Sequence, residues 1–376
     1  MRIKMRKLLV ALAAAVVIIS FSISAAIAAS GNDATGNRQA LSLQKAIDMA
    51  IQNDKGLKSA LAEIDRTRSL REQAQDNVSF TPVEGGYSGP YGPQIEATWL
   101  QLLGADLNYR ASQRTYQADL DALALKVCKA YWDVQVAQEK LSLQEKAKQQ
   151  ALLSLQNARA AVQAGTISSA ELAVKENLWK QAEDSLTAAQ HDLDNAYTIF
   201  NNLVGLEADA RPLLEEQPAY SPLDVVDLEY EVERVLENDP NVWKAQQNID
   251  VKRWSAEMMY SSGSYTPYDA RQAELQQAEY TLASVKETMA KATRSLYYQA
   301  KSLEENYGAA QAALKAAQEK LKVEQAKAAA GMNTKADLVA AELDVAKAQE
   351  TLDELVRNHA YLKLAFEKPW AMSSSN

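Results

Sequence analysis

The stretch VQAGTISSAEL at residues 162–172 indicates how the chain is built, because a near-copy, AAAGMNTKADL, recurs at residues 328–338. An offset of 166 positions (331 minus 165) places Gly331 over Gly165, an acid over an acid and a leucine over a leucine. Glycine suits the left-handed position that ends a helix, and in each copy a Ser or Thr follows that can cap the next helix, with an acid three residues further on. The sequence therefore predicts the same helix–turn–helix hairpin twice.

Long helices are predicted on both sides of each hairpin tip. Residues 94–211 and 268–368 contain none of the nine prolines and are rich in Ala, Leu, Gln, Glu and Lys. Proline costs about 3 kcal/mol inside a helix, whereas these residues cost little. Beyond the first tip, apolar residues recur at spacings of three and four: Ala182, Leu186, Ala189, Leu193, Ala196, Phe200 and Leu203. Such a stripe is typical of coiled-coil packing, and a helix of about 55 residues would be about 80 Å long. We therefore expect a rod or a tube.

The duplication extends beyond the tips. The offset of 166 matches two aromatic positions: Tyr131 with Tyr297, and Phe200 with Phe366. Upstream the offset becomes 185, which places Asn53 over Asn238. We therefore divide the chain into a signal peptide (1–28), a first helical repeat (29–205), a connector (206–226), a second helical repeat (227–368) and a C-terminal tail (369–376).

The first thirty residues have the layout of a secretory signal peptide. Four basic residues precede an apolar run that ends in small residues with an A-x-A pattern at 26–28, which predicts cleavage before Ala29. The alternative is an uncleaved anchor, because residues 8–30 are uncharged and long enough to span a bilayer. We expect the protein to be exported to the cell envelope.

Charge and cysteine content argue against nucleic-acid binding and against an internal disulfide. Loss of the four basic residues takes the formal charge from -9 to -13. Nucleic acid is therefore not an expected partner, since its binding needs clustered Lys and Arg. The single cysteine, Cys128, cannot form an internal disulfide and is expected to be a small core residue.

The order and duplication of these elements resemble the TolC-like outer membrane efflux protein family. The resemblance is carried by LSLQKAIDMAIQNDKGL (41–57), KAYWDVQVAQEKL (129–141), NAYTIFNNLVG (195–205), YEVERVLENDPNV (230–242) and the two tips. It covers nearly all of the chain after the signal peptide. It implies an all-α, elongated fold whose duplicated long-helix hairpins are the staves of an α-helical barrel, formed by a homotrimer.

The resemblance also implies partners. The tube would be a passive duct of a tripartite efflux or type I secretion system, with no cofactor. Its tips would dock on a periplasmic adaptor (membrane fusion) protein, and an inner-membrane pump would drive small-molecule or polypeptide cargo. The predicted docking residues are Ala164, Gly165, Thr166, Ala330, Gly331 and Met332.

The connections at the far end of the predicted tube, residues 78–97 and 260–268, depart from the family pattern. In the family each holds a hairpin of a membrane β-barrel, which needs two strands of about 9–11 residues. The second connection is too short, and prolines in the first oppose central strands. We therefore expect no β-barrel or a minimal one, with tyrosine-rich connections that pack in loops or lie at a membrane interface.

Asp337 and Glu171 are the candidate channel constriction. Asp337 matches an acid that rings the narrow end of the tube in the family, and Glu171 is its equivalent in the first repeat. Inward-facing carboxylates would favour cations and repel anions. The alternative is that each acid only completes the capping box of its helix. The second ring acid of the family is replaced by Ala340.

The chain shows no apparatus for catalysis or metal binding. Its two histidines are His191, on a polar face, and His359, which takes an apolar stripe position over Leu193. A lone histidine in such a stripe is typically packed or hydrogen-bonded, because metal sites need several ligands. No HExxH, CxxC, phosphate-binding glycine loop or nucleophile elbow occurs. We therefore expect a duct rather than an enzyme. The alternative is a secreted coiled-coil scaffold or structural envelope protein without a conduit.

Overall fold

The computed structural model of the chain describes residues 40–79, 91–257 and 267–373. Within these residues every regular element is a helix, and the only extended pairing is an isolated parallel bridge between Ala40 and Leu213. The helices are α1 (Leu43–Asn53), α2 (Lys55–Asp76), α3 (Gly92–Gln163), α4 (Ser169–Val204), α5 (Leu228–Asn238), α6 (Pro240–Glu257), α7 (Tyr268–Ala329), α8 (Lys335–Glu367) and α9 (Trp370–Ser373). The predicted all-α fold of duplicated long-helix hairpins is confirmed.

The helices form two runs with the same order: two short helices, one very long helix and one long return helix. In each run a single aspartate separates the short helices and caps the second of them. Asp54 accepts a hydrogen bond from the Leu57 N–H at 2.6 Å, and Asp239 accepts one from the Val242 N–H at 2.7 Å. The two aspartates are 185 positions apart, so the runs share local structure as well as sequence.

The two very long helices exceed the length expected from the sequence. α3 has 72 residues and α7 has 62, which at 1.5 Å per residue correspond to about 110 Å and 90 Å. α3 begins at Gly92 even though Pro93 follows, because proline is tolerated in the first turn, where the N–H needs no acceptor in the helix. The sequence placed residues 92–97 in a connection, and the structure corrects this to helix.

The two hairpins pack side by side through α3. α3 packs against α4 and α7 packs against α8, which forms the hairpins. α3 also packs against α8, α6 and α9 of the second run. α3 is therefore the central helix, whereas α4 and α7 each pack along a single long helix.

Duplicated aromatic pairs hold each hairpin near its open end. The rings of Tyr131 and Phe200 meet edge to face at 6.0 Å, and those of Tyr297 and Phe366 are 6.1 Å apart. Phe200 is fully buried in a cluster that joins α1, α3 and α4. Cys128 lies in the same cluster, and burial raises the pKa of its thiol to about 12, so its predicted core role is confirmed.

The first part of the connector is tied to α3 by polar side chains. The Tyr131 hydroxyl donates to the Leu41 carbonyl at 2.9 Å and accepts from the Glu216 N–H at 3.3 Å. The Gln135 amide donates to the carbonyls of Leu214 and Glu216, both at 3.0 Å. These bonds satisfy backbone groups that a connector without regular structure would otherwise leave unpaired.

The second part of the connector is tied to α7 and α8 by charged side chains. Lys301, the duplicate of Gln135, donates to the Leu223 carbonyl at 2.8 Å, and Glu304 accepts from the Leu223 N–H at 2.5 Å. The imidazole of His359 is buried, with Nε2 3.1 Å from Glu304 Oε1, and its ring lies 5.3 Å from that of Tyr220. His359 is therefore packed and hydrogen-bonded, as the sequence predicted.

Several predictions fall outside the described residues. They concern the signal peptide, the alternative anchor at residues 8–30 and most of the two tyrosine-rich connections. Among the residues that are described, no helix combines the length and the apolar character needed to cross a membrane.

Candidate functional site at the hairpin tips

Both hairpin tips are built by the same backbone turn. Gly165 has φ +74° and Gly331 has φ +66°, in the left-handed region that residues with a Cβ rarely adopt. The N–H of the residue after each glycine reaches back five residues: Thr166 donates to the Ala161 carbonyl at 2.9 Å, and Met332 donates to the Lys327 carbonyl at 2.8 Å. This is the Schellman ending of a helix, which satisfies its last carbonyls.

A capping box starts the return helix at each tip. The Ser168 N–H donates to Glu171 Oε2 at 2.9 Å, and the Glu171 N–H donates to Ser168 Oγ at 3.2 Å. In the second tip the Thr334 N–H donates to Asp337 Oδ2 at 2.9 Å, and the Asp337 N–H donates to Thr334 Oγ1 at 3.3 Å. The capping role of both acids is therefore confirmed.

The Thr334 hydroxyl also affects the charge state of Asp337. It donates to Asp337 Oδ2 at 2.7 Å. This bond, together with the Thr334 N–H, lowers the pKa of Asp337 below its usual value, because both bonds favour the charged form. Asp337 therefore stays ionised at neutral pH while it caps α8. A surface carboxylate in this state can act on nearby ions as well.

The predicted docking residues all lie exposed at the two turns: Ala164, Gly165, Thr166, Ala330, Gly331 and Met332. A Cβ built on Gly165 or Gly331 would meet nothing within 4 Å. The need for glycine there therefore comes from the positive φ, and the space around the turn is open. Met332 is the most exposed apolar side chain at the tips, with 77% of its surface accessible.

The second tip carries a polar cavity that sequence inspection missed. The cavity has a volume of about 460 Å³ and is lined by charged side chains of α7, by Asn333 and by Asp337. Asn333 donates to the carbonyl and the carboxylate of Glu324, both at 2.9 Å, and Lys327 pairs with Glu324 at 2.7 Å. Comparison of the two repeats could have predicted this cavity, because Asn333 and Glu324 replace Ile167 and Ala158 of the first tip.

Glu171 and Asp337 lie at equivalent places in different hairpins and each is bonded to its own N-cap. Both carboxylates are exposed. In a single chain they form no shared cluster, and among the described residues no group of three or more His, Cys, Asp and Glu side chains is placed to hold a metal ion. His191 is exposed on α4 and also stands alone.

Removing either N-cap hydroxyl is expected to loosen the tip without unfolding the hairpin. Ser168→Ala and Thr334→Ala should each cost about 1 kcal/mol of local stability, since one N–H of the first turn loses its acceptor. Amide hydrogen exchange in the first turns of α4 and α8 measures this loss. Ser169→Ala, one residue inside α4, is the matched control and should leave exchange unchanged. Equal acceleration in Ser168→Ala and Ser169→Ala would contradict the assigned cap.

The first long hairpin, from within α3 through the first tip to the end of α4, has a recognised sequence pattern. Residues 101–206 match the family model for outer membrane efflux proteins. This hairpin is similar to outer membrane efflux proteins. The resemblance predicted from the sequence is thus confirmed. No curated protein matches the chain in sequence.

Solved structures with the same fold include bacterial outer membrane proteins and outer membrane channels. The outer membrane protein VceC from Vibrio cholerae has a TM-score of 0.64 at 14% identity, covering 86% of this chain and 94% of that one. The CmeC outer membrane channel of Campylobacter jejuni has a TM-score of 0.63 at 12% identity, with 86% and 85% covered. The open state of the MtrE outer membrane channel of Neisseria gonorrhoeae has a TM-score of 0.60 at 17% identity, with 88% of each chain covered. CmeC and MtrE are outer membrane channels, and the matched family model is that of outer membrane efflux proteins.

Proposed function

We propose that the chain is the passive duct of a tripartite efflux or type I secretion system in the cell envelope. The observation that carries the proposal is the pair of long hairpins with Schellman tips, in a fold shared with outer membrane channels. Each copy would contribute two similar hairpins to the wall of a tube, and three copies would close it. The bore would conduct small molecules or polypeptides without chemistry on the chain.

The tips are the proposed contact with a periplasmic adaptor, which would couple the duct to an inner-membrane pump. Their turns are exposed and consist of small residues apart from Met332, so a helix of the adaptor could approach the backbone closely. The cavity beside Asn333 and Asp337 makes the second tip more polar than the first. We infer that the two tips present different surfaces to the adaptor.

Asp337 and Glu171 are the proposed constriction of the duct. In a ring of copies, their equivalent places would set carboxylates from both hairpins at one level of the bore. Asp337 is ionised at neutral pH, and its lowered pKa extends the charged state to more acidic solutions. A ring of carboxylates favours cations. The cap is compatible with this second role, since one carboxylate oxygen of Asp337 accepts the cap bonds.

Asp337→Asn tests the constriction because asparagine retains an oxygen that can accept the cap bonds while it removes the charge. In planar lipid bilayers we expect lower cation selectivity, and a further decrease when Glu171→Gln is added. Asp192→Asn, an exposed change on α4 away from the tip, is the control and should behave as wild type. Unchanged selectivity in the double variant would remove both acids from the constriction. Absence of any conductance in the wild-type chain would contradict the duct itself.

A further inference from the structure

Ion pairs between the two repeats have a consistent polarity. Each pair uses an acid of α3 and a base of the second repeat: Glu96 with Arg271 at 2.6 Å, Asp121 with Lys368 at 2.6 Å, and Glu139 with Arg357. Arg357 is buried and holds Glu139 with both terminal nitrogens. The Glu139–Arg357 pair lies between α3 and α8, so this seam joins opposite charges as well as packed side chains.

The duplication supplies a second seam of the same kind that one chain leaves open. α7 is the duplicate of α3, and α4 is the duplicate of α8. Within the described chain α3 packs along α8, whereas α7 and α4 do not pack along each other. A second copy can offer its α7 to this α4 in the geometry that α3 and α8 already show.

Apolar side chains on these two open faces support that contact. Tyr298 of α7 is 63% exposed, whereas its duplicate on α3, Trp132, is 6% exposed. Ile199 of α4 is 50% exposed, whereas its duplicate on α8, Ala365, is fully buried. The exposed faces of α7 and α4 thus carry large apolar side chains at the positions whose duplicates on α3 and α8 are buried. A second copy that packed in the same way would bury Tyr298 and Ile199 as Trp132 and Ala365 are buried within one chain.

The same offset identifies the polar pair of the open seam. His191 is the duplicate of Arg357, and Glu305 is the duplicate of Glu139. Both are exposed, and neither has a hydrogen bond or ion pair among the described residues. We propose that α4 of one copy packs on α7 of a second copy, with His191 against Glu305, so that the contact between copies strengthens as the pH falls. This inference rests on the assembly of copies in the proposed duct.

The proposed pair between copies contains His191, whereas its duplicate within the chain contains Arg357. Imidazole titrates near pH 6.5, whereas a guanidinium stays charged. A histidine that gains a carboxylate partner has a raised pKa in the assembly, so its contribution is fully present below about pH 6.5 and is lost as the pH rises through the raised value.

Other charged groups near the pair set the background for this titration. Hydrogen bonds from Lys148 to Glu183 and from Gln138 to Tyr197 fix which part of α3 lies beside His191. The charged and titratable residues at this level are Asp192 and Asp194 on α4, Lys140, Glu145 and Lys146 on α3, Arg211 on the connector, Lys301 and Glu304 beside Glu305 on α7, and His359 on α8, which is bonded to Glu304. Asp194 is paired with Arg211 at 2.6 Å, and Glu304 is paired with Lys301 at 2.8 Å. Asp194 and Glu304 are each already bound to a basic side chain, so neither offers His191 an unpaired carboxylate.

Cross-linking between cysteines tests the proposed register. The variant His191→Cys/Glu305→Cys, treated with a short bis-maleimide, should give covalent dimers and trimers. His191→Cys/Glu287→Cys is the register control, since Glu287 lies about 27 Å along α7 from Glu305. Each single variant and this control should give no ladder, that is, no series of covalent dimers and trimers on a denaturing gel. Cys128 should stay unreacted, because burial raises the pKa of its thiol to about 12. A trimer that shows no ladder, or an equal ladder in the register control, would overturn the seam.

The pH dependence tests the role of the histidine. The dissociation constant of the wild-type assembly should fall between pH 8 and pH 5.5 by about two- to fivefold per seam, hence roughly tenfold to a hundredfold for three seams. His191→Arg should assemble tightly at both values, and Glu305→Gln should lose the dependence. The same dependence in Glu305→Gln as in wild type would overturn the pairing. A cross-linked trimer without conductance would support the contact between α4 and α7 and contradict the duct. A conducting trimer without cross-linked species would support the duct and contradict the contact between α4 and α7.

Discussion

Phe200→Ala is expected to destabilise the chain by about 3–5 kcal/mol, because it removes a fully buried aromatic ring and leaves a cavity. The ring meets Tyr131 edge to face and lies where α1, α3 and α4 join. Tyr131 in turn anchors Leu41 and the connector through its hydroxyl. Loss of this packing should therefore release the connector together with the open end of the first hairpin.

Urea denaturation, followed by circular dichroism at a concentration that keeps the chain monomeric, measures this effect. Ile199→Ala is the matched control, since it changes the next residue on the same helix but on the exposed face. We expect the control to lose less than about 1 kcal/mol under these conditions. Similar losses in the two variants would contradict the assignment of Phe200 to the core.

Arg357→Met is expected to cost about 3 kcal/mol, because it leaves Glu139 without a countercharge in the seam between the hairpins. The estimate is at the lower end for a buried pair, since the Glu139 side chain keeps 27% of its surface accessible. Glu350, one to two turns along α8, already has a pKa that is raised by burial and by the charge of Glu354. Removal of the guanidinium leaves these carboxylates to repel one another.

The loss in Arg357→Met should depend on pH. Burial without a countercharge raises the pKa of a carboxyl, so the penalty is largest above the folded-state pKa and falls as the carboxyls protonate. The difference in unfolding free energy between wild type and variant should thus be smaller at pH 5 than at pH 7.5. Adding Glu139→Gln should recover most of the loss at pH 7.5.

Arg294→Met is the control for this prediction. Arg294 binds Glu229 with two hydrogen bonds at 3.0 Å and 2.6 Å, but both side chains are exposed. Exposed pairs contribute about 0.2–1 kcal/mol, so the control should change stability little at either pH. A loss in Arg294→Met equal to that in Arg357→Met would show that the burial of the seam does not determine the effect.

The sequence predicted the hairpins well because their signals are local. Gly165 with Ser168 and Glu171, and Gly331 with Thr334 and Asp337, specify a helix end and a helix start within a few residues. The absence of proline from the long windows predicted the helices that flank them. The beginning of α3 was missed because Pro93 is compatible with a first turn and with a loop alike.

The contacts between the repeats could not be predicted in the same way. Glu96 and Arg271 are 175 positions apart, Glu139 and Arg357 are 218 apart, and Asp121 and Lys368 are 247 apart. Their pairing depends on which faces of α3, α7 and α8 meet, and helical periodicity alone leaves that open. The duplication becomes informative only after one seam is seen, because it then identifies His191 and Glu305 as the matching pair of the other.

The mass and shape of residues 29–376, the segment after the predicted signal peptide, distinguish a trimeric duct from a coiled-coil scaffold. Light scattering and negative-stain imaging, with and without mild detergent, would show whether copies assemble around a bore. The proposed duct predicts a trimer with a stain-filled axial channel. Monomers or dimers of solid rods under every condition would contradict the duct and favour a coiled-coil scaffold without a conduit.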